Sequence, residues 1–493
     1  MAYPNGALRI TRTPGRLNNK NCVGLGGIIN KEHLVSACIF AFYIADEEFL
    51  PYLPISTSST DAVPVSYIFK ATHIFNCSHY IQIYIGRDPN NDPFLQRAAS
   101  RADIPLGEGK LAKKNLETLR PHLEDLHRTA TPQQSSDESG GNTNIHAFYA
   151  WSAGCSHSKI LLLVYPAFLR IVITSCNMMD IDTALGDNHW YLHDVPRRAT
   201  RASRPLAGFE GTLMAHMEAL GTPAAFLDSV RGVYLVTSHP GTFAGPKAEQ
   251  HGLLRLRKIV KHLGLGLGDK SDDGKVRLEV CAASIGNISA QWLNAFYECA
   301  LGEPEIGFPE DEGDGSGDLV PLIKLFFPTV SDVRAADTDS QEGASNIGCH
   351  LRPWATASQA VKEIFHHYRS KDAGRLFHQK LIMAYDPSQP DEVPHYIYVG
   401  SANLSRSAWG SVTEDKKRGS EATCHTKLTG VSNFECGVVI PGRLIMGLLE
   451  PGTGTWQDGV VPYDQTAEPY DLERDRPWSD PRWVRDYRDD YSD

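Results

Sequence analysis

The sequence has little that would anchor it to a membrane, a structural metal or a disulfide framework. Its longest apolar runs, Leu34–Ile44 and Ile160–Ile173, are too short to span a bilayer, and the second is interrupted by Pro166 and Arg170. The first twenty residues hold three Arg and two Pro and no apolar core, so no secretory signal is expected. The 10 cysteines are scattered singly with no C-x-x-C pair, which indicates neither a zinc ribbon nor a disulfide scaffold. A reduced, intracellular protein without metal or other cofactor is the expectation.

What is present is a globular balance. At 493 residues, 41% hydrophobic and 22% charged, the chain is long enough for two or more domains and a large core. The net charge of −11 is unevenly placed. Glu303–Asp318 holds 7 acids and no base, and Asp464–Asp493 holds 10 acids against 5 Arg. The rest is close to neutral, so local basic patches for a polyanion are compatible with an acidic total.

Along the chain, Leu8 to Ile44 reads as a strand followed by a first helix, and Ser66–Phe75 and Tyr80–Ile85 read as strands. Lys110–Arg128, with leucines at 111, 116, 119, 123 and 126, reads as an amphipathic helix kinked at Pro121. Thr129–Asn144 and Glu310–Asp318 read as loops. Ser158–Tyr165 and Leu169–Thr174 form a strand pair, and Pro205–Gly221 and Ala224–Val230 look helical. Gly232–Thr237 is strand-like, Ala357–Tyr368 is helical behind Thr356, and Lys380–Tyr385 and Tyr396–Gly400 are strands. The alternation predicts an α/β protein, with the segment after Pro462 wrapping its surface.

One pattern occurs twice. His157-Ser158-Lys159 is followed by an apolar strand, a turn, a second strand and Ser175-Cys176-Asn177; His378-Gln379-Lys380 is followed by the same order and Ser401-Ala402-Asn403. His-x-Lys places an imidazole and an ammonium side by side on extended backbone, and the returning strand brings Asn to the same end. Each copy supplies one nucleophilic or acid–base group and two donors for phosphate oxygens. A lone His-x-Lys is commonplace; two copies with matching flanks indicate an in-line phosphoryl transfer without metal.

The duplicated His-x-Lys…Asn resembles the phospholipase D superfamily. The residues after Lys159 are Ile160, Leu161, Leu162, Leu163, Val164 and Tyr165, without the Asp most of that superfamily carries. In this the sequence is similar to the tyrosyl-DNA phosphodiesterase family, as a divergent, fungal-type member. Gly400–Gly410, Asn433–Val438, Pro462-Tyr463-Asp464, Asp475–Trp478 and Thr237–Gly245 are also similar to blocks of that family.

The resemblance implies two α/β/α sandwich halves related by a pseudo-twofold axis, 1–245 and 246–493, each contributing one His-Lys-Asn set. It implies hydrolysis of 3′-phosphotyrosyl and related blocking groups at single-stranded or nicked DNA 3′ ends, in DNA repair, by a nuclear monomer that does not engage membranes. His157 would be the nucleophile and His378 the acid and base. Lys159, Lys380, Asn177 and Asn403 would hold the phosphate oxygens, and Glu435 would fix the His157 tautomer. Ser284 and Ser405 match positions that bind DNA phosphates. The family's Gln that orients the second His falls on Asn188 counting from Asn177, or on Asp187 counting from Trp190. Its stacking aromatic falls on Ala153, so Trp151 or Tyr149 would take that place. The alternative chemistry is hydrolysis of a phospholipid or of nucleic acid without specificity, in relatives that keep the missing Asp. A non-enzymatic DNA-end binder would have no need of paired imidazoles.

Weaker signals are read as structural. Gly264–Gly268 lacks the extension of a dinucleotide turn, and His366-His367 lacks carboxylate partners in a metal motif. The basic runs Pro196–Arg204, Arg255–Lys261 and Lys416–Arg418 read first as solvated faces.

Overall fold

The computed structural model describes residues 1–54, 82–87, 99–100, 102–104, 118–119, 145–149, 155–196, 209–220, 234–264, 276–303, 322–386, 388–389, 391–414 and 426–480. Ser66–Phe75, Thr129–Asn144, Ala224–Val230, Glu310–Asp318, Lys416–Arg418 and most of Lys110–Arg128 lie outside the described residues, as do Trp151 and Ala153.

The first eight strands are β1 Ala7–Thr11, β2 Cys22–Val23, β3 Ser36–Phe40, β4 Gln82–Arg87, β5 Ile145–Tyr149, β6 Ile160–Val164, β7 Phe168–Thr174 and β8 His189–Pro196. They build one sheet in the order β2-β1-β8-β7-β6-β3-β4-β5. Then follow β9 Tyr234–Ser238, β10 Gly241–Ala244, β11 Arg277–Ala282, β12 Ser284–Ile285, β13 Ile323–Phe327, β14 Gly348–Cys349 and β15 Phe365–His367. The last five are β16 Lys380–Tyr385, β17 Tyr396–Gly400, β18 Ser411–Glu414, β19 Thr426–Val431 and β20 Glu435–Pro441. The second large sheet runs β9-β20-β17-β16-β11-β13-β15, with β10-β19-β18 and β12-β14 as small satellites.

Apart from the extra β2, the two large sheets have one topology. β6, β7 and β8 stand in the first where β16, β17 and β20 stand in the second, joined antiparallel in both. Outside them, β3-β4-β5 and β11-β13-β15 are parallel. The fold is a phospholipase D-like duplication, and β7 and β8 pack against β17 and β20 where the halves meet.

The apolar runs become strands because both faces of each sheet are covered. In β6, Ile160 and Leu162 join a core shared with the second half, whereas Leu161 and Leu163 face a separate core with Ile39, Val172 and Trp190.

Three expectations are corrected here. The apolar segment taken as a first helix is β3, since a short apolar run buried on both faces has no helical period to distinguish it. The expected helix over 357–368, behind Thr356, is instead the short helix Gln359–Glu363 and strand β15, which pairs with β13, and Thr356 ends the preceding helix Leu351–Thr356. The boundary at 245 moves earlier: β9 hydrogen-bonds to β20 and so belongs to the second sheet, which places the division between Pro196 and Tyr234. Residues 463–480 lie along the second half, bridging Ser370, His366, Thr329 and Gly348 through Tyr463, Pro469, Pro477 and Ser479, with Tyr463 and Tyr470 buried.

Candidate active site

Both His-x-Lys segments lead into the central hairpins, with the imidazoles just ahead of β6 and β16. Each is held by a backbone clamp from the opposite half. His157 N–H donates to the Phe434 carbonyl (3.0 Å) and Phe434 N–H to that of Cys155 (2.7 Å). Likewise His378 N–H donates to the Asp187 carbonyl (3.1 Å) and Asp187 N–H to that of Leu376 (3.0 Å). The pseudo-twofold axis therefore runs through the candidate site, and neither half completes it alone.

Both imidazoles, both Lys, both Asn, Asp182 and Glu435 are buried, Asn403 being the most open at 9%. The lysines fold back onto their own histidines: Lys159 Nζ donates to the His157 carbonyl at 2.7 Å and Lys380 Nζ to the His378 carbonyl at 2.5 Å. Each ammonium keeps hydrogens free for a bound anion. The two Asn are oriented alike. Asn177 Oδ1 accepts from the Tyr43 backbone N–H (3.3 Å) and Asn403 Oδ1 from that of Ser284 (2.9 Å). Pinning the carbonyl oxygen settles which way each amide faces and commits its NH2 group to donation.

The carboxylates are exchanged between halves. His157 Nδ1 lies 3.0 Å from Glu435 Oε2, which also accepts from Ser401 Oγ at 2.5 Å, while Asn433 Nδ2 donates to Oε1 at 3.0 Å. A side chain at Gly400 would stand 2.4 Å from Gly437 Cα, so glycine permits the close approach of β17 and β20 that brings Ser401 to Glu435. With Nδ1 engaged by the carboxylate, the His157 lone pair is on Nε2. Phe42 packs beside this His, ring centroids 5.4 Å apart, and its face lies 5.6 Å from Lys159 Nζ.

The partner of His378 corrects the sequence reading. His378 Nδ1 stands 2.8 Å from Asp182 Oδ2, a close contact off the line of an ideal hydrogen bond that becomes an ion pair when the ring is protonated. Neither Asp187 nor Asn188 supplies that group. The Asp187 carboxylate is turned to Arg16 and the Tyr368 hydroxyl. Asn188 accepts from Ser175 Oγ at 2.7 Å and donates to the Asp182 carbonyl at 2.9 Å. Asn188 thus occupies in the first half the place of Glu435 in the second, each next to the Ser that precedes its Asn by two. The signal for Asp182 was an acidic residue five positions after Asn177; the wide spacing from His378 hid the contact.

Electrostatics follow from burial. It pushes both histidines down to about 4, with the lysines adding to the effect and the carboxylates opposing it. Lys159 is lowered by burial to about 8, and Lys380 is held well below its ordinary range by burial and by Lys159. Burial acts to raise Asp182 and Glu435, but their His and Lys neighbours outweigh it and both stay below the ordinary carboxyl range. The resting site therefore holds neutral imidazoles between two lysines and two carboxylates. A phosphodiester anion placed there favours the protonated forms of Lys and His.

Ser284 and Ser405 flank Asn403: Ser405 N–H donates to the Asn403 carbonyl (2.9 Å), and Ser405 Oγ caps the short helix Arg406–Trp409. The basic run Arg255–Lys261 lies on helix Gly252–His262, where Arg255 and Arg257 donate to the Leu235 and Glu303 carbonyls. Among the described residues, no group of His, Cys, Asp and Glu is placed to hold a metal, and no helix is long and apolar enough to cross a membrane.

The family model of tyrosyl-DNA phosphodiesterase matches residues 7–477. Tyrosyl-DNA phosphodiesterase 1 of Arabidopsis thaliana is 25% identical over 292 residues, covering 54% of this chain and 45% of its own. A probable tyrosyl-DNA phosphodiesterase of Schizosaccharomyces pombe is 26% identical over 290 residues, covering 55% of this chain and 49% of its own. The chain thus spans about half the length of these curated relatives. The crystal structure of the yeast tyrosyl-DNA phosphodiesterase superposes with a TM-score of 0.58 at 15% identity, covering 96% of this chain and all of that one, which shows a shared fold. By the match along nearly its whole length, the chain belongs to the tyrosyl-DNA phosphodiesterase family.

Proposed function

We propose that the protein is a metal-independent phosphodiesterase that removes tyrosyl-peptide and related groups from DNA 3′ ends. The observation that carries this reading is the crossed pairing of two buried His-Lys-Asn sets, each imidazole held by a carboxylate of the other half. His157 Nε2 attacks phosphorus, the bond to the tyrosine oxygen breaks, and a proton on His378 passes to the departing phenolate. Water then attacks the phosphohistidine, His378 takes its proton, and the P–N bond breaks to give a 3′-phosphate. Lys159, Lys380 and the NH2 groups of Asn177 and Asn403 stabilise the charge on the non-bridging oxygens throughout. Asp182 stabilises the His378 imidazolium, and Glu435 holds His157 in the attacking tautomer.

Ser284 and Ser405, on the Asn403 side, receive the DNA strand's phosphates. Repair of topoisomerase adducts, action as a nuclear monomer and contact with single-stranded or nicked ends follow from the same reading. The segment after Lys159 supports it over phospholipid hydrolysis, since β6 is apolar throughout and offers no Asp beside the site. The test is cleavage of a single-stranded oligonucleotide carrying a 3′-phosphotyrosine, in EDTA. Conversion to the 3′-phosphate supports the function; an inert, folded protein overturns it.

A further inference from the structure

Behind His378 lies a buried ion-pair network, whereas the described residues behind His157 offer a chain of another kind, Ser158 Oγ to His216 Nε2 (2.8 Å) and His216 Nδ1 to His239 Nε2 (3.0 Å), with no Arg–carboxylate pair. Arg16, on the turn Pro14–Arg16, is only 7% exposed. Its guanidinium bonds the Asp187 carboxylate, the Pro462 carbonyl (2.8 Å) and Ser370 Oγ (3.1 Å). The other Asp187 oxygen accepts from the Tyr368 hydroxyl, which also accepts from Gln379 Nε2 at 3.3 Å. The Tyr368 ring lies against Phe377, centroids 4.2 Å apart. The Asp187 backbone, in turn, bonds Leu376 and His378. Four consecutive residues, 376 to 379, thus rest on one buried ion pair. At the matching place in the other half stands Phe434, which makes the same backbone clamp without a charge.

We propose that Arg16, acting through Asp187 and Tyr368, is a positioning residue that sets the backbone of His378 and leaves His157 untouched. Removing one member of a buried pair leaves the other uncompensated, and the chain relaxes to find it water or another donor. Relaxation at Asp187 moves the carbonyl that holds His378 and takes its ring off Asp182. His157 rests on Phe434 and Glu435 and keeps its place.

This rests on the roles given under the proposed function, where hydrolysis of the intermediate depends on His378 as base. In single-turnover cleavage of a 3′-phosphotyrosyl oligonucleotide, Arg16→Met is expected to accumulate covalent adduct. Its hydrolysis should slow on the order of 10- to 10²-fold, with formation slowed less, because a phenolate, whose acid has a pKa of about 10, leaves with little protonic help whereas the attacking water must give up a proton to His378. Tyr368→Phe, which changes no charge, should show a smaller effect of the same kind. Arg16→Met/Asp187→Asn should recover part of the loss. Equal slowing of both steps, or a lower melting temperature with an unchanged ratio of steps, overturns the inference. If the wild type cleaves nothing, the proposed function fails. The positioning is then read from imidazole NMR titrations: Arg16→Met should move His378 and leave His157 in place, and the reverse overturns it.

Discussion

The two halves share strand order, register and backbone clamps, yet they treat their histidines differently. Glu435 lies at the start of β20, and its oxygens meet His157, Ser401 and Asn433. Asp182 comes instead from the helical turn Ile181–Leu185 after β7. Its Oδ2 meets His378 and the Asn177 N–H (2.6 Å), and Oδ1 has no hydrogen-bond partner among the described residues. A carboxylate tied on every side fixes a tautomer, which is what a nucleophile needs. One with a spare oxygen lets an imidazole gain and lose a proton, which is what an acid and base needs. Duplication built the scaffold; in the proposed function the source of each carboxylate distinguishes the jobs.

The strongest way to break this comparison is to remove each imidazole in turn. His157→Ala should abolish turnover, because no group remains to form the P–N bond; steady-state cleavage measures it, and retained activity would refute the assignment. His378→Asn should lower turnover by about 10²–10⁴-fold and leave covalent adduct visible on a denaturing gel. Exchanging the carboxylates sharpens the comparison. Asp182→Asn should cost on the order of 10²-fold in turnover, and Asn188→Ala much less; the opposite order would return the orienting role to Asn188.

Acidity offers a smaller effect. Folded His157, His378 and His189 lie at about 4, below the ordinary 6.5, so the unfolded chain binds more protons between these values. Their contribution to stability is complete above pH 6.5 and is lost as the pH falls toward 4, which melting temperatures across that range would show. Activity should fall in the same direction as His157 becomes protonated. Least of all, EDTA should leave the rate unchanged; a marked loss would show that the two lysines do not supply the positive charge.

Much of this was legible in the sequence because it is local. Strands β16 and β17 coincide with the apolar segments read as strands, and the duplicated His-x-Lys…Asn named six side chains that the fold brings together in the candidate site. Other features depended on distance along the chain. Asp182 meets His378 from 196 positions away, and an acidic residue in a short turn carries no mark of the partner it will find. Asp187 looked suited to the same role, yet the buried Arg16 claims its carboxylate. The helix expected over 357–368 failed because β13 offered Phe365–His367 a free edge, a tertiary gain that no local propensity displays.

The central proposal is that the two equivalent histidines have different roles, His157 as nucleophile and His378 as acid and base. It is tested most directly by trapping the adduct that His378→Asn forms with a 3′-phosphotyrosyl oligonucleotide and locating it by peptide mass mapping. The account predicts the phosphate on His157. Phosphate on another residue, or slow turnover with no covalent species, would contradict it.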